Sequence, residues 1–147
     1  MTIRKATLED LSALTKMAQI LFNEEDEDQL MEEFITFLRS DKDDIFVASQ
    51  NDELVGFLHM SLRHDYVEGA TTYPVAYMEG IFVEPAFRKQ DVARSLAAAG
   101  EEWAKEKGCT EIASDAELDN TNSQLFHQKI GFEVVNQIVS FIKKVGE

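Results

Sequence analysis

The sequence predicts a mixed α/β domain, on the basis of three observations. Short apolar runs typical of strands alternate with longer segments whose apolar residues recur every three or four positions. Two of the helical segments end at a glycine, Gly108 and Gly131, which is typical of helix C-termini. No repeat, low-complexity tract or linker divides the 147 residues, so one domain spanning residues 1–147 is expected.

The first third of the chain predicts one strand and two helices. Thr2–Ala6 is predicted to form a short strand. Thr7 then begins a helix, with Asp10 three residues later completing a pattern that resembles a capping box. A second helix, ending near Ser40, is indicated by helical spacing of the apolar residues Leu30, Phe34, Ile35 and Leu38.

The middle of the chain predicts three strands. Ile45–Ser49 and Leu54–Arg63 are apolar runs joined by a polar turn over residues 50–53. Asp65–Tyr73 is predicted to be a loop, and Val75–Val83 to be the next strand. Gly80 lies inside that strand, where a glycine favours a bulge or a close approach of another segment.

The last third predicts two helices and three strands. Asp91–Lys107 has the apolar spacing of a helix, and Glu111–Ser114 is strand-like. Asn120–Lys129 is predicted to be a short helix. Phe132–Val135 and Ile138–Ile142 are then expected to be two closing strands.

Composition excludes several classes of function. The formal net charge is −14, which disfavours nucleic acid and anionic membranes as partners and attracts cations. No apolar run approaches the ~18 residues of a membrane span, and the N-terminus lacks the apolar stretch of a signal peptide. The single cysteine, Cys109, favours the cytoplasm. The three histidines show no metal-ligand spacing, so no metal is expected.

The segment after the strand Val75–Val83 has the features of an anion site. A proline turn leads into a basic stretch at the start of the predicted helix, where backbone N–H groups and the helix dipole favour a phosphate. We call this stretch the basic elbow; it consists of Arg88, Lys89, Gln90, Asp91, Val92, Ala93 and Arg94. Asp91 puts a negative charge there, so weakened but not abolished anion binding is expected.

Three motifs in this order resemble the GNAT acyltransferases. They are the strand end Ile81-Phe82-Val83, the elbow Arg88–Ala93, and Asn120 followed by the segment Phe126–Phe132. The resemblance implies a mixed, mostly antiparallel sheet flanked by about four helices. It also implies that acetyl-CoA binds in a V-shaped opening between the fourth and fifth strands. That family commonly has glycine where this chain has Asp91.

A narrower resemblance covers nearly the whole chain. The segments Arg63–Val67, Glu79–Val83, Gly108-Cys109, Ala113–Asp115 and Asn120–Gln128 are similar to the small, dimeric aminoglycoside 6′-N-acetyltransferases of type I. The resemblance implies a homodimer that confers antibiotic resistance. It implies direct attack of the 6′-amine of the antibiotic on acetyl-CoA in a ternary complex. The apolar C-terminal residues are the expected dimer contact.

The candidate catalytic residues are Glu79, Tyr66 and His127. An ionised Glu79 among apolar neighbours should face a cleft or a cation, and it could accept the proton of an amine through water. Alternation predicts that Glu79 shares a face with Tyr77 and Ile81. The resemblance implies that His127 stands where many GNAT enzymes carry a tyrosine that protonates the coenzyme thiolate.

The candidate binding residues divide between coenzyme and acceptor. For acetyl-CoA the resemblance assigns the backbone of Ile81, Phe82 and Val83, the basic elbow, and Asn120, although Asn120 also suits an ordinary helix N-cap. For the cationic acceptor it assigns, besides Glu79, the residues Phe22, Glu25, Tyr66, Asp115 and Asn136.

Two alternative functions remain open from sequence. One is a GNAT enzyme for another amine, such as a polyamine or a peptide N-terminus. The other is a non-catalytic acetyl-CoA sensor, which Asp91 in the basic elbow suggests.

Overall fold

The computed structural model describes residues 1–146 and contains a five-stranded sheet in the order β1-β2-β3-β4-β5. The first three neighbouring pairs are antiparallel, and β4 pairs with β5 in parallel, as the mixed α/β prediction requires. The strands are β1 (Thr2–Lys5), β2 (Asp43–Gln50), β3 (Glu53–Arg63), β4 (Val75–Val83) and β5 (Ile112–Ser114).

Residues 1–146 also form four α-helices. They are α1 (Leu11–Phe22), α2 (Glu27–Arg39), α3 (Val92–Glu106) and α4 (Thr121–Lys129). A 3-10 turn, Leu8–Asp10, precedes α1, and there the Asp10 carboxylate accepts the Thr7 backbone N–H at 2.8 Å, as the capping pattern predicts. Gly108 has a φ of +80° just beyond α3, which confirms the predicted glycine stop.

The sheet is covered on both faces. On one face α1 and α2 bury Leu14, Phe34 and Phe57 in a common apolar core. On the other face α3 packs so closely that a Cβ added to Gly100 would lie 2.9 Å from Leu58. The buried indole N–H of Trp103 donates to Asp44 at 2.7 Å and fixes α3 to the sheet. Alternate residues of β2, β3 and β4 therefore face either α1 and α2, or α3.

The strand β4 contains a bulge at Glu79. In the antiparallel register His59 pairs with Gly80 and the next residue, Met60, pairs with Met78, so Glu79 is the extra residue. This confirms the irregularity predicted at Gly80. The bulge also changes the expected alternation, because Ile81 pairs with Leu58 on the face that α3 covers, whereas Tyr77 pairs with Ser61 on the opposite face. The expectation that Ile81 shares a face with Glu79 is therefore wrong.

The sheet opens between β4 and β5. The two strands pair only from Ala76–Ile112 to Met78–Ser114, where the Ser114 hydroxyl also donates to the Met78 carbonyl at 3.2 Å. Strand β4 continues to Val83, but β5 ends at Ser114. Backbone groups of β4 beyond Met78 therefore have no β5 neighbour on that side, which is the splayed arrangement expected from the sequence.

The chain divides into two compact units, Met1–Asp115 and Ala116–Glu147. The second unit contains α4, and the expectation of one domain over the whole chain stays a prediction. No strand is present at Phe132–Val135 or Ile138–Ile142, so the two predicted closing strands are wrong. A strand needs a hydrogen-bonded neighbour. These segments instead expose their apolar side chains, up to 97% for Ile142.

Within residues 1–146, no helix is both long and apolar enough to cross a bilayer.

Candidate active site

A cavity of about 500 Å³ lies on the sheet face that α1 and α2 cover. We call it the acidic cavity. Its helix side consists of Phe22, Glu24, Gln29, Leu30, Glu33, Phe34 and Phe37. Its sheet side consists of Asp43, His59, Ser61 and Glu79. The cavity therefore lies between two helices, at the C-terminal end of α1 and along α2, and the three neighbouring strands β2, β3 and β4.

The charge of the acidic cavity favours a cation. Four carboxylates line it, those of Glu24, Glu33, Asp43 and Glu79, whereas His59 is the one basic side chain among its lining residues. Walls of low dielectric constant concentrate the field of such charges within a cavity. The aromatic rings of Phe34 and Phe37 also line the cavity, and the faces of aromatic rings attract cations. The cavity suits a ligand that carries several positive charges on a partly apolar frame.

Glu79 faces both the cavity and a cation. Its Oε2 accepts hydrogen bonds from the Ser61 hydroxyl at 2.5 Å and from Arg63 Nε at 3.0 Å. Its Oε1 accepts a hydrogen bond from an Arg63 terminal nitrogen at 2.7 Å. The side chain is 25% exposed, and Glu79 is the bulge residue of β4 that lines the acidic cavity. The expectation that this glutamate needs a cleft or a cation is confirmed, and it has both.

Asp43 and His59 form a second polar pair on the cavity wall. His59 Nε2 lies 2.7 Å from Asp43 Oδ1, and the His59 ring lies against Phe37 with centroids 4.4 Å apart. Burial alone would raise the pKa of Asp43. Hydrogen bonds from His59 and Ser40 and the charge of His59 outweigh burial, so the pKa of Asp43 is lowered overall. The carboxylate is therefore ionised at neutral pH.

Asp115 follows β5 at the edge of the first unit. It is exposed, it is not among the lining residues of the acidic cavity, and it accepts a hydrogen bond from the Tyr77 hydroxyl. Burial, followed by the neighbouring Asp115 carboxylate, raises the pKa of Tyr77, so the phenol stays protonated and continues to donate. Tyr77 thus joins the end of β5 to the middle of β4.

Of the two acceptor residues proposed near the end of α1, Phe22 lines the cavity and Glu25 does not. Phe22 lines the cavity and is half exposed, and its ring lies so near β4 that a Cβ on Gly80 would be 3.1 Å from it. The absence of a side chain at Gly80 therefore lets α1 end beside the sheet. Glu25 is exposed and does not line the cavity; its neighbour Glu24 does.

Tyr66 lies in the loop between β3 and β4 and is 76% exposed. The nearby negative charge of Glu68 raises its pKa, so the hydroxyl is protonated at neutral pH. The side chain is available for stacking or for hydrogen bonding to a ligand.

The basic elbow connects β4 to α3. Lys89 and Asp91 both have left-handed backbones, with φ of +65° and +63°, so aspartate does adopt the conformation that glycine would favour. Asp91 is the N-cap residue of α3, but its side chain caps none of the N–H groups of the first turn. Its carboxylate is 84% exposed and lies 3.9 Å from Arg94 Nε. The helix start thus keeps N–H groups without intrahelical partners, as an anion site requires.

Arg88 fixes the elbow to the end of β4. Its Nε donates to the Val83 carbonyl at 2.8 Å, and its guanidinium carbon lies 5.7 Å from the centroid of the Phe82 ring. Phe82 is buried against Phe57 in the core, so its side chain is structural while its backbone lies beside the opening. Ile81 is partly buried, and Val83 is buried.

Asn120, His127 and Asn136 belong to the second unit. Asn120 is the N-cap of α4, its Oδ1 accepting the Ser123 N–H at 3.1 Å, which confirms the N-cap interpretation. His127 Nδ1 lies 2.7 Å from the Ser123 carbonyl oxygen, so that nitrogen carries a proton and donates it. Its ring lies between those of Phe126 and Phe132. Asn136 is exposed and accepts the Gln137 N–H at 2.8 Å.

Sequence reasoning missed Asp43, His59 and Ser61 on the cavity wall, together with the role of Arg63. The three residues of β3 could have been found from the period-two alternation of that strand, which places His59, Ser61 and Arg63 on one face. Among residues 1–146, no group of three or more His, Cys, Asp or Glu side chains is arranged to hold a metal ion.

Comparison with known proteins identifies the relatives of this chain. Residues 11–132 match the acetyltransferase (GNAT) family. An aminoglycoside N(6′)-acetyltransferase type 1 of Acinetobacter genomosp. 13 is 35% identical over 99% of this chain and 98% of its own length. A protein of the same description from Salmonella typhimurium strain LT2 is 44% identical over 67% of this chain and 68% of its own length.

A solved structure shares the whole fold. It is that of AAC(6′)-Iy in complex with the bisubstrate analogue CoA-S-monomethyl-acetylneamine. The two chains are 35% identical, with a TM-score of 0.92 over 98% of each chain.

The Asp43–His59 pair predicts a reversal in the pH dependence of stability. In the wild type, Asp43 contributes stability above its unfolded pKa of about 3.9, and this contribution is lost as pH falls through its lowered folded value. In His59→Phe only the hydrogen bond from Ser40 still opposes burial, which is the largest of these influences, so the pKa of Asp43 should rise. The contribution of Asp43 should then decrease as pH rises above about 4. Urea unfolding of both proteins between about pH 3.5 and 6 gives the free energy of unfolding and hence the sign of its slope against pH.

The matched control is Asp43→Asn, alone and combined with His59→Phe. The effect of His59→Phe on the slope of unfolding free energy against pH should differ between the Asp43 background and the Asp43→Asn background, because only the first contains the carboxylate whose pKa His59 lowers. A slope that differs equally with and without Asp43 would contradict the role of the pair.

Proposed function

The chain belongs to the acetyltransferase (GNAT) family, and we propose that it transfers acetyl from acetyl-CoA to the 6′-amine of aminoglycosides. The observation that carries the proposal is the acidic cavity beside the splayed β4 strand, because its four carboxylates match a substrate with several ammonium groups. The names of the relatives support the same acceptor. We expect the enzyme to act in the cytoplasm and to confer antibiotic resistance.

The coenzyme side of the proposal uses β4 and the basic elbow. Acetyl-CoA supplies an acetyl thioester that an amine can attack directly. N–H groups at the start of α3, together with Lys89 and Arg94, suit its pyrophosphate. Backbone groups of Ile81 and Phe82 beside the opening can pair with the extended pantetheine arm, as an added strand would. The Val83 carbonyl already accepts a hydrogen bond from Arg88, so Arg88 acts mainly by holding the elbow in place.

Acetyl transfer to an ammonium group removes two protons from the nitrogen, one before the attack and one as the amide forms, and it places one proton on the sulfur; the net proton passes to water. Glu79 lines the cavity and is proposed to take the first proton through water, since water can reach its partly exposed carboxylate. His127 is proposed to protonate the leaving thiolate sulfur from Nε2, with its Nδ1–H held by the Ser123 carbonyl. Asn120, besides capping α4, is proposed to contact the pantetheine arm.

The acceptor is proposed to bind by charge and by ring contact. Glu79 and Asp115 each suit one ammonium group, and Glu24, Glu33 and Asp43 provide further carboxylates. Phe22 at the cavity entrance and exposed Tyr66 are proposed to contact the sugar rings. Glu25 and Asn136 are proposed as outer contacts.

We further propose that the chain forms a homodimer through its C-terminal segment, residues 138–142. Phe141 is 91% exposed and Ile142 is 97% exposed, which is costly for large apolar side chains in water. An exposed apolar segment of this kind gains apolar contacts when a second copy covers it.

Glu79→Gln tests the proton acceptor. The amide keeps the size of the side chain but accepts protons poorly, so kcat should fall by about 10²- to 10⁴-fold. The measurement is release of CoA thiol that depends on kanamycin. Glu102→Gln, on the exposed face of α3, is the matched control and should retain full activity. If the wild type turns over no aminoglycoside but acetylates polyamines or peptide N-termini, the acceptor assignment is wrong.

Asp91→Gly and Asp91→Asn test the basic elbow. If the negative charge weakens the coenzyme site, both variants should bind acetyl-CoA about two- to fivefold more tightly, the effect expected of one exposed charge. Isothermal titration with acetyl-CoA alone measures this without any acceptor. If only Asp91→Gly binds acetyl-CoA more tightly, the effect comes from the backbone conformation. If neither variant binds it more tightly, the charge of Asp91 does not weaken the coenzyme site.

Sedimentation at micromolar concentration tests the dimer. The wild type should sediment as a dimer, and Phe141→Asp combined with Ile142→Asp should sediment as a monomer, because two charges cannot be buried in an apolar interface without large cost. Ile20→Asp is the control, since it replaces an exposed apolar residue outside the C-terminal segment. A monomeric wild type would rule out this interface.

A further inference from the structure

Arg63, the last residue of β3, contacts Glu79 directly and is linked to Asp115 through Tyr77. Its guanidinium donates to Oε1 and Oε2 of Glu79 at 2.7 and 3.0 Å, in the fork geometry that arginine shares with carboxylates. Its guanidinium carbon also lies 3.5 Å from the centroid of the Tyr77 ring. Tyr77 in turn donates its hydroxyl hydrogen to Asp115. We call Arg63, Tyr77, Glu79 and Asp115 the arginine bridge.

The hydrogen bonds around Glu79 leave room for one more donor. A carboxylate has about four acceptor sites, two on each oxygen. Ser61 and Arg63 Nε occupy Oε2, and one Arg63 terminal nitrogen occupies Oε1. Within the described chain these three donors therefore leave one site, on Oε1, for an incoming ammonium group. An ammonium at that site would be placed by geometry as well as by charge.

The arginine bridge as a whole keeps a negative charge, which favours an incoming cation. Glu79 and Asp115 each bring one negative charge and Arg63 brings one positive charge, so the group as a whole is one negative charge in excess. Hydrogen bonding to Glu79 raises the pKa of the Arg63 guanidinium, which keeps this positive charge in place. Stacking on Tyr77 restrains the guanidinium plane, because arginine binds aromatic faces through its flat surface.

We propose that Arg63 is a positioning residue for the acceptor amine: it holds Glu79 and Asp115 in one fixed arrangement and leaves Glu79 Oε1 as the ammonium site. This rests on the proposed function, since it concerns the same acceptor. The competing possibility is that the guanidinium occupies the ammonium site and must be displaced. The bidentate contact favours positioning, because it leaves an acceptor site open without breaking either bond.

Arg63→Gln is the decisive variant. Loss of a charged hydrogen-bonding partner should lower kcat/KM for kanamycin by about 10- to 100-fold, mainly through a higher KM for kanamycin. The Kd for acetyl-CoA should be unchanged. Arg63→Lys keeps the positive charge but cannot donate two parallel hydrogen bonds, so its kcat/KM for kanamycin should fall less than that of Arg63→Gln. Methylguanidine added to Arg63→Gln should restore part of the lost kcat/KM. Arg39→Gln, an exposed arginine at the end of α2, is the control and should behave as wild type.

The outcomes separate the two roles. A lower kanamycin KM in Arg63→Gln would mean that the guanidinium competes with the substrate, and it would overturn the proposal. An unchanged kanamycin KM, or equal loss of affinity for both substrates with a lower melting temperature, would also overturn it. If the wild type acetylates no aminoglycoside, the proposed function fails. The Arg63–Glu79 contact is then judged by NMR, where a slowly exchanging Arg63 Nε–H resonance that is lost in Glu79→Gln supports it and its absence in the wild type overturns it.

Discussion

The arrangement of the site depends on the partners of one carboxylate, that of Glu79. A half-buried ionised carboxylate is costly unless hydrogen bonds and an opposite charge compensate for the lost water. Ser61 and Arg63 provide that compensation from the neighbouring strand, with three hydrogen bonds to the two oxygens. Because both partners lie on β3, the position of the carboxylate is set by the register of two paired strands and not by a flexible loop.

The bulge at Glu79 determines which residues lie on each face of β4. It directs an extra residue toward the acidic cavity, and it also shifts the alternation of the rest of the strand, so Ile81 faces α3. Just beyond the bulge β5 ends, and the backbone of β4 is left without a neighbour on that side. The acidic cavity and the proposed coenzyme opening therefore meet at one irregular strand. A transfer between two bound substrates needs them adjacent and correctly oriented.

The sequence predicted those elements whose signals are local. Strand β4 was predicted with its observed bounds, Val75–Val83, and the glycine stop of α3 and the N-cap of α4 are each encoded within a few residues. The Asp43–His59 pair was missed because it joins residues sixteen positions apart on different strands, and only the register brings them together. The closing strands were wrong for a similar reason. An apolar run predicts the tendency to pair, but the pairing partner decides whether a strand forms.

The charge of the chain has opposite effects on its two proposed substrates. A net charge of −14 attracts a polycationic acceptor over long distances but repels an anionic coenzyme. Local features must therefore overcome the global field at the coenzyme side: the unpaired N–H groups of the first turn of α3, and the basic residues Lys89 and Arg94. Asp91 acts against them from the same turn. Its exposed carboxylate is screened by water and lies near Arg94, so we expect it to weaken the proposed anion site without abolishing coenzyme binding.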